Sequence, residues 1–287
     1  MPMDADALAP WLLAVRVAFY AAALLAAGTA LHAALGVVER GGRYRAMLIA
    51  AAAALAALLF SAARLLVIDA QLGGGFDHAF DPSSFAWTWR MQGNATLALV
   101  AGCAAIWIAI PTRLVWIGGA GGVAVAASFA FSGHSQALDP PGFAPWAVGL
   151  HVLIAAFWFA APLSLWPRRR LDDGALQARL ARFSSLALFV VPLLFALGLW
   201  LAWTLAGGFT PLVSSLYGRL LIAKLCIAAL ALAIGAANKL VITKAVANNP
   251  ASGRRMLAIS LATDVSLFVV ALGLVGWATT MTGPPSI

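Results

Sequence analysis

The chain alternates long apolar runs with short polar connections. Runs long enough to cross a bilayer fall near residues 10–36, 46–68, 88–110, 114–133, 145–166, 184–206, 217–243 and 256–280. About 20 apolar residues cross the hydrocarbon core as a helix. The backbone must satisfy its own polar groups there, and a run of this length does so by coiling. Strands of a membrane barrel would be shorter and would alternate in polarity. The pattern predicts an all-α polytopic membrane protein, a bundle of eight transmembrane helices forming a single transmembrane domain over residues 1–287. The third run is the least clean, because Arg90, Gln92 and Asn94 dilute its start. Pro162 and Pro192 fall inside the fifth and sixth runs, where a missing backbone donor predicts a kink.

Composition agrees with this reading. Charged residues make up 10% of the chain, against roughly 25% in a soluble domain. The N-terminal MPMDADALAP is acidic where a secretory signal opens with basic residues, so the first run is expected to remain a span. Cys103 and Cys226 both lie in apolar runs and predict buried thiols rather than a disulfide or zinc site.

The net charge of +8 raises nucleic acid as a partner until the charges are sorted by connection. Arg40, Arg43 and Arg45 follow the first run, and Arg113 the third. Arg168, Arg169, Arg170, Arg179 and Arg182 follow the fifth, and Lys239, Lys244, Arg254 and Arg255 the seventh. The opposite side carries Asp69, Asp77, Asp81 and Asp139, with Arg90 and Arg219 as its basic residues. By the positive-inside rule the basic connections are cytoplasmic and both termini lie outside. The charge is then an orientation signal, with the lipid bilayer as partner and no nucleic acid. Within the fifth-to-sixth connection, QARLARFSSL reads as a basic, mildly amphipathic loop.

Ionisable residues at membrane depth mark candidate function. Arg16, Arg64 and His151 each lie five residues inside an outer marker, roughly 7–8 Å deep at 1.5 Å per residue. Lys224 lies seven past Tyr217, roughly 10 Å deep. These four residues from four runs predict one polar layer near the outer face. His78, His134, Asp77, Asp81 and Asp139 lie just above it as an acidic, imidazole-bearing entry. Asp264 lies nearer mid-membrane, within reach of the long Lys224 stem, and the two are expected either to pair or to form a charge step along a path. His32, near the inner end of its run, predicts a capping or interfacial role. Imidazole and thioether both suit copper, so His134, His151, His78, Met91 and Met281 are the candidate ligands. Spacing alone does not name the metal.

Three blocks in order, SGHSQ, then HVLIAAFWFAAPLSLW, then YGRLLIAKLCIAALALAIGAANK, resemble the CopD copper-resistance family of bacterial inner-membrane proteins, most strongly over about residues 128–280. The resemblance implies copper resistance or uptake beside periplasmic copper-binding proteins, in the inner membrane. It carries Gly133 and His134 onto a glycine-histidine element, and His151 with Trp158 onto a histidine helix. Tyr217, Gly218, Arg219 and Lys224 fall on a tyrosine-glycine-arginine helix, whose inner end is Asn238 and Lys239. The WFAAP run departs from the family's tryptophan followed by glycines.

Two readings stand at this point. In the first, copper enters near His134, helped by His78, Asp77 and Asp81. It meets His151 and Met91 or Met281, with Lys224 and Asp264 shaping the inner path. No P-loop is present, so ATP hydrolysis within this chain would not drive it, and the chain is expected to be a carrier rather than an enzyme. In the second, imidazoles ligate a haem b and the arginines hold its propionates, giving a haem- or quinone-linked redox protein.

Overall fold

The computed structural model describes residues 5–169 and 171–282. Eight apolar helices account for most of them: α1 (Ala5–Ala34), α2 (Arg40–Gly73), α3 (Pro82–Thr112), α4 (Val115–Ala127), α5 (Ala144–Phe159), α6 (Asp173–Ala206), α7 (Leu216–Ala237) and α8 (Pro250–Trp277). Seven are long and apolar enough to span a membrane, counting their continuations, and the shorter Val115–Phe131 is the eighth. The polytopic all-α expectation therefore stands.

Short caps stop the helices where the apolar runs end. Gly74 and Gly207 close α2 and α6 in the left-handed conformation, at φ 88° and 80°. Asp172, Ser215 and Asn249 begin α6, α7 and α8 by accepting backbone N–H groups from Ala175, Gly218 and Ser252. Two helix ends relax into π turns, Asn238–Ile242 after α7 and Ala278–Thr282 after α8.

α1 is the centre of the packing, lying against α2, α4, α5 and α8. Its neighbours come close because small residues face it. A Cβ on Gly28 would fall 1.9 Å from the Ala156 carbonyl oxygen of α5. One on Gly122 of α4 would fall 2.8 Å from the Ala27 carbonyl of α1. Such contacts replace the hydrophobic drive that is missing between helices in lipid. α7 and α8 form a more peripheral layer with α6. α7 buries only Tyr217, Gly218 and Ala231 among its described residues.

Several expectations change here. QARLARFSSL is not a loop but belongs to the first half of α6, a 34-residue helix. At 1.5 Å per residue it runs about 51 Å, beyond the ~30 Å hydrocarbon core, so its basic start projects out of the membrane. Pro162 lies next to a real break, at Ala160, between α5 and the short helix Ala161–Leu165. Pro192 interrupts nothing, because α6 continues through it. Cys103 is buried as predicted, but Cys226 faces outward. Trp11, Trp87, Trp146, Trp203 and Trp277 lie near helix ends and are exposed, as interfacial anchors are.

Candidate functional site

The two ends of the bundle differ in chemistry. At one end the basic connections meet: Arg182 reaches the Leu35 carbonyl, and Arg254 the Leu171 carbonyl. The other end carries the histidine loop, the start of α1 and the end of α8, and the predicted polar layer lies just inside it.

Arg16 and Arg64 share that layer with Tyr20, one turn after Arg16 on α1, close enough for their charges to interact. Arg16 donates to the Thr279 carbonyl at 2.6 Å. That carbonyl sits in the final π turn of α8, where a helix end leaves acceptors open to a cation. Arg64 donates to Gln92 Oε1 at 2.9 Å and lies 4.9 Å from the centre of the Phe19 ring. Neither guanidinium has a carboxylate partner among the described residues, and the Nε atoms of both are buried without an acceptor. Among the described residues neither Asp69 nor Asp139 pairs with them, and it is the end of α8 that meets Arg16. Asp69 instead accepts the Phe80 N–H at 2.6 Å and the Thr88 hydroxyl at 3.3 Å, pinning the connection between α2 and α3.

His134 opens the short turn His134–Gln136 between α4 and α5. Its ring meets Tyr217 of α7 edge-on, with centroids 6.2 Å apart. Burial and the nearby Arg16 charge hold its imidazole below the usual value of 6.5. The ring is therefore neutral at neutral pH, the form that ligates metal.

His151 lies deeper on α5, with its Nδ1 buried; the Leu194 carbonyl is near it without a bond of good geometry. Lys224 is within electrostatic reach. A Cβ on Gly198 of α6 would sit 3.2 Å from the His151 ring, so the glycine makes the ring's space. Trp158 is buried against Phe268 and Phe195 and acts in packing.

The remaining candidates are dispersed. His78 Nδ1 lies 3.4 Å from Asp81 on an exposed loop that also carries Asp77. Asp139 is exposed on the histidine loop, Met91 is exposed on α3, and Met281 is half-buried in the last turn. Among the described residues, no three of His, Cys, Asp and Glu are grouped to hold a metal ion.

Lys224 and Asp264 do not pair: no ion pair between them is formed among the described residues. Asp264 is buried with Oδ1 unpartnered, one turn beyond Ser260, whose hydroxyl donates to Asn238 at the start of the π turn after α7. His32 is not interfacial but fully buried. It bonds the Ser164 hydroxyl at 2.8 Å and meets Phe157 and Phe183 edge-on.

The sequence reading missed Tyr20, Thr279, Gly198 and Ser164. Tyr20 alone had a signal, since it lies four residues after Arg16 on one helix face. Thr279, Gly198 and Ser164 meet Arg16, His151 and His32 only through contacts between segments distant in sequence, Ser164 at the arginine-rich end.

Fold and polar layer together define a polytopic helical membrane protein with Arg16 and Arg64 lacking carboxylate partners among the described residues, and His134 and His151 toward the same end. Residues 177–278 match the family described as Copper resistance protein D, CopD. No curated protein and no solved structure matches the chain. The matched stretch, just over a third of the chain, runs through most of α6, all of α7 and α8 and contains Tyr217, Lys224 and Asp264. His134, His151 and Trp158 precede it.

Proposed function

We propose that the chain handles copper at the bacterial inner membrane, taking it from the periplasmic side. The observation that carries this reading is the junction between the CopD-matching region and the outer histidine: Tyr217, inside the match, packs against His134, just above the polar layer. The arginine-rich end is then cytoplasmic and both termini periplasmic, in line with the positive-inside rule.

Copper is cargo here, so it must leave each site as readily as it enters. One or two ligands at a time suit that need better than a closed cage. His134 is the upper step and His151 the lower, with Met91 or Met281 as further soft donors at this end. Arg16 has two effects on an arriving ion. It keeps the His134 lone pair free, and it repels a bare cation. Copper delivered by a periplasmic copper-binding protein, with anionic ligands of its own, benefits from the first effect and is less exposed to the second.

The test is copper accumulation in cells expressing His134→Ala or His151→Ala, measured by elemental analysis beside membrane levels of the protein. Each variant is expected to shift accumulation toward that of cells lacking the chain. Wild-type accumulation in both, with no copper bound to the purified protein, would sink the reading. A red preparation with a Soret band would replace it by the haem reading.

A further inference from the structure

The arginine-rich end holds a cavity of about 220 Å³ between α1, the start of α2 and the α5–α6 connection. It is far larger than the ~10–15 Å³ that one water requires. Arg45, Arg168, Arg179, Glu39 and Thr29 line it, together with the first backbone turn of α2 at Gly41 and Gly42.

The charges inside are unbalanced. Glu39 commits both carboxylate oxygens to Arg179, at 2.6 Å each. Arg45, which is exposed at the cavity mouth, and half-buried Arg168 have no carboxylate partner among the described residues. Arg168 feels the cost, since burial and the like charges of Arg45 and Arg179 push its pKa down against the opposing Glu39 charge. The guanidinium stays charged regardless, because arginine does not deprotonate in proteins.

Two neutral features point to the same missing anion. Thr29 is buried on α1, yet its hydroxyl has no partner among the described residues. A helical threonine ordinarily returns its hydrogen bond to the preceding turn; this one is unbonded, on a residue that lines the cavity. The N-terminus of the 34-residue α2 borders the same space without a side-chain cap bond. Glu39, at the N-cap position, is bonded to Arg179 with its carboxylate beside Gly42, whose N–H is taken by the Glu39 carbonyl, and the N–H groups of Arg40 and Gly41 remain. Free N–H groups and a positive helix end attract oxyanions.

We propose that this cavity binds a phosphate-type oxyanion, held by Arg45, Arg168, the Thr29 hydroxyl and the first turn of α2. The anion comes either free or as the headgroup of an acidic lipid. Ile49 and Leu163 line the same cavity, so an acyl chain can lie beside it. The site is independent of the copper reading.

The test uses the full-length protein, delipidated in neutral detergent, with thermal unfolding followed by tryptophan fluorescence. Inorganic phosphate, short-chain phosphatidic acid and short-chain phosphatidylcholine are titrated separately. A saturable rise in Tm with phosphate assigns a free-anion site, and one with phosphatidic acid alone assigns a headgroup site; either supports the proposal. Arg45→Gln and Arg168→Gln should each weaken the response about tenfold, the loss of one charge-assisted hydrogen bond. Thr29→Val should melt at or above wild type without anion, because it removes an unpaired buried hydroxyl, and should bind about threefold more weakly. That variant keeps the test open if an arginine variant fails to fold. No saturable response to either anion, an equal response to phosphatidylcholine, or an unchanged response in all three variants would overturn the proposal.

Discussion

The two ends of this bundle hold their most buried arginines, Arg179 and Arg64, in opposite ways. At the arginine-rich end Arg179 is held by Glu39 in a two-bonded ion pair and also donates to the Ser164 carbonyl at 2.8 Å. Ser164 in turn bonds His32, so one network joins α1, α2, α6 and the segment after α5. At the histidine end Arg16 and Arg64 meet only a carbonyl, an amide and an aromatic face among the described residues. A buried cation without a counter-charge is expensive to keep. The first arrangement serves the fold. The second leaves positive potential where a ligand or a neighbouring imidazole can feel it.

Substitutions can break that contrast. The largest effect is expected for Arg179→Met, which strands Glu39 and the Ser164 carbonyl and should destabilise by about 3 kcal/mol. Denaturant unfolding of the purified protein measures it. The same pair has a pH signature. The Arg179 hydrogen bonds hold the Glu39 carboxyl below its usual 4.5. A depressed carboxyl stabilises fully above that value and loses its contribution as pH falls through the lower folded value. The difference in melting temperature between wild type and Glu39→Gln should therefore stay constant down to about pH 4.5 and close below it.

Arg64→Met gives the converse. It loses the Gln92 bond and the Phe19 contact but also removes an unpaired buried charge. Stability should stay within about 1 kcal/mol of wild type, while copper accumulation changes if the layer acts in handling. A loss as large as that of Arg179→Met would erase the distinction between the ends. The smallest effect belongs to Asp173→Asn, which breaks the partly exposed pair with Arg254. About 0.5 kcal/mol is expected, vanishing in high salt because exposed pairs are screened.

Much of this was legible along the chain. Apolar run length placed all eight helices, although α2, α3 and α6 run beyond their predicted ends and α4 and α5 stop short of theirs. Depth counting put Arg16, Arg64, His151 and Lys224 in one layer, and the structure gathers Arg16 with Arg64 and His151 with Lys224. It failed where partners had to be chosen. Asp264 was within nominal reach of Lys224, yet no pair forms, and Asp69 was taken by a backbone N–H instead of an arginine. His32 looked interfacial by position, but α5 and α6 close over it.

The sequence by itself determined the helices, the separation of charge between the two ends and the resemblance that points to copper. These follow from local hydropathy and residue order, which the bilayer reads one segment at a time. Tertiary structure alone decided which charges are paired and which are left bare. That choice depends on how α1 is enclosed by its glycine- and alanine-lined neighbours, and packing between residues far apart in the chain leaves no mark on any single run.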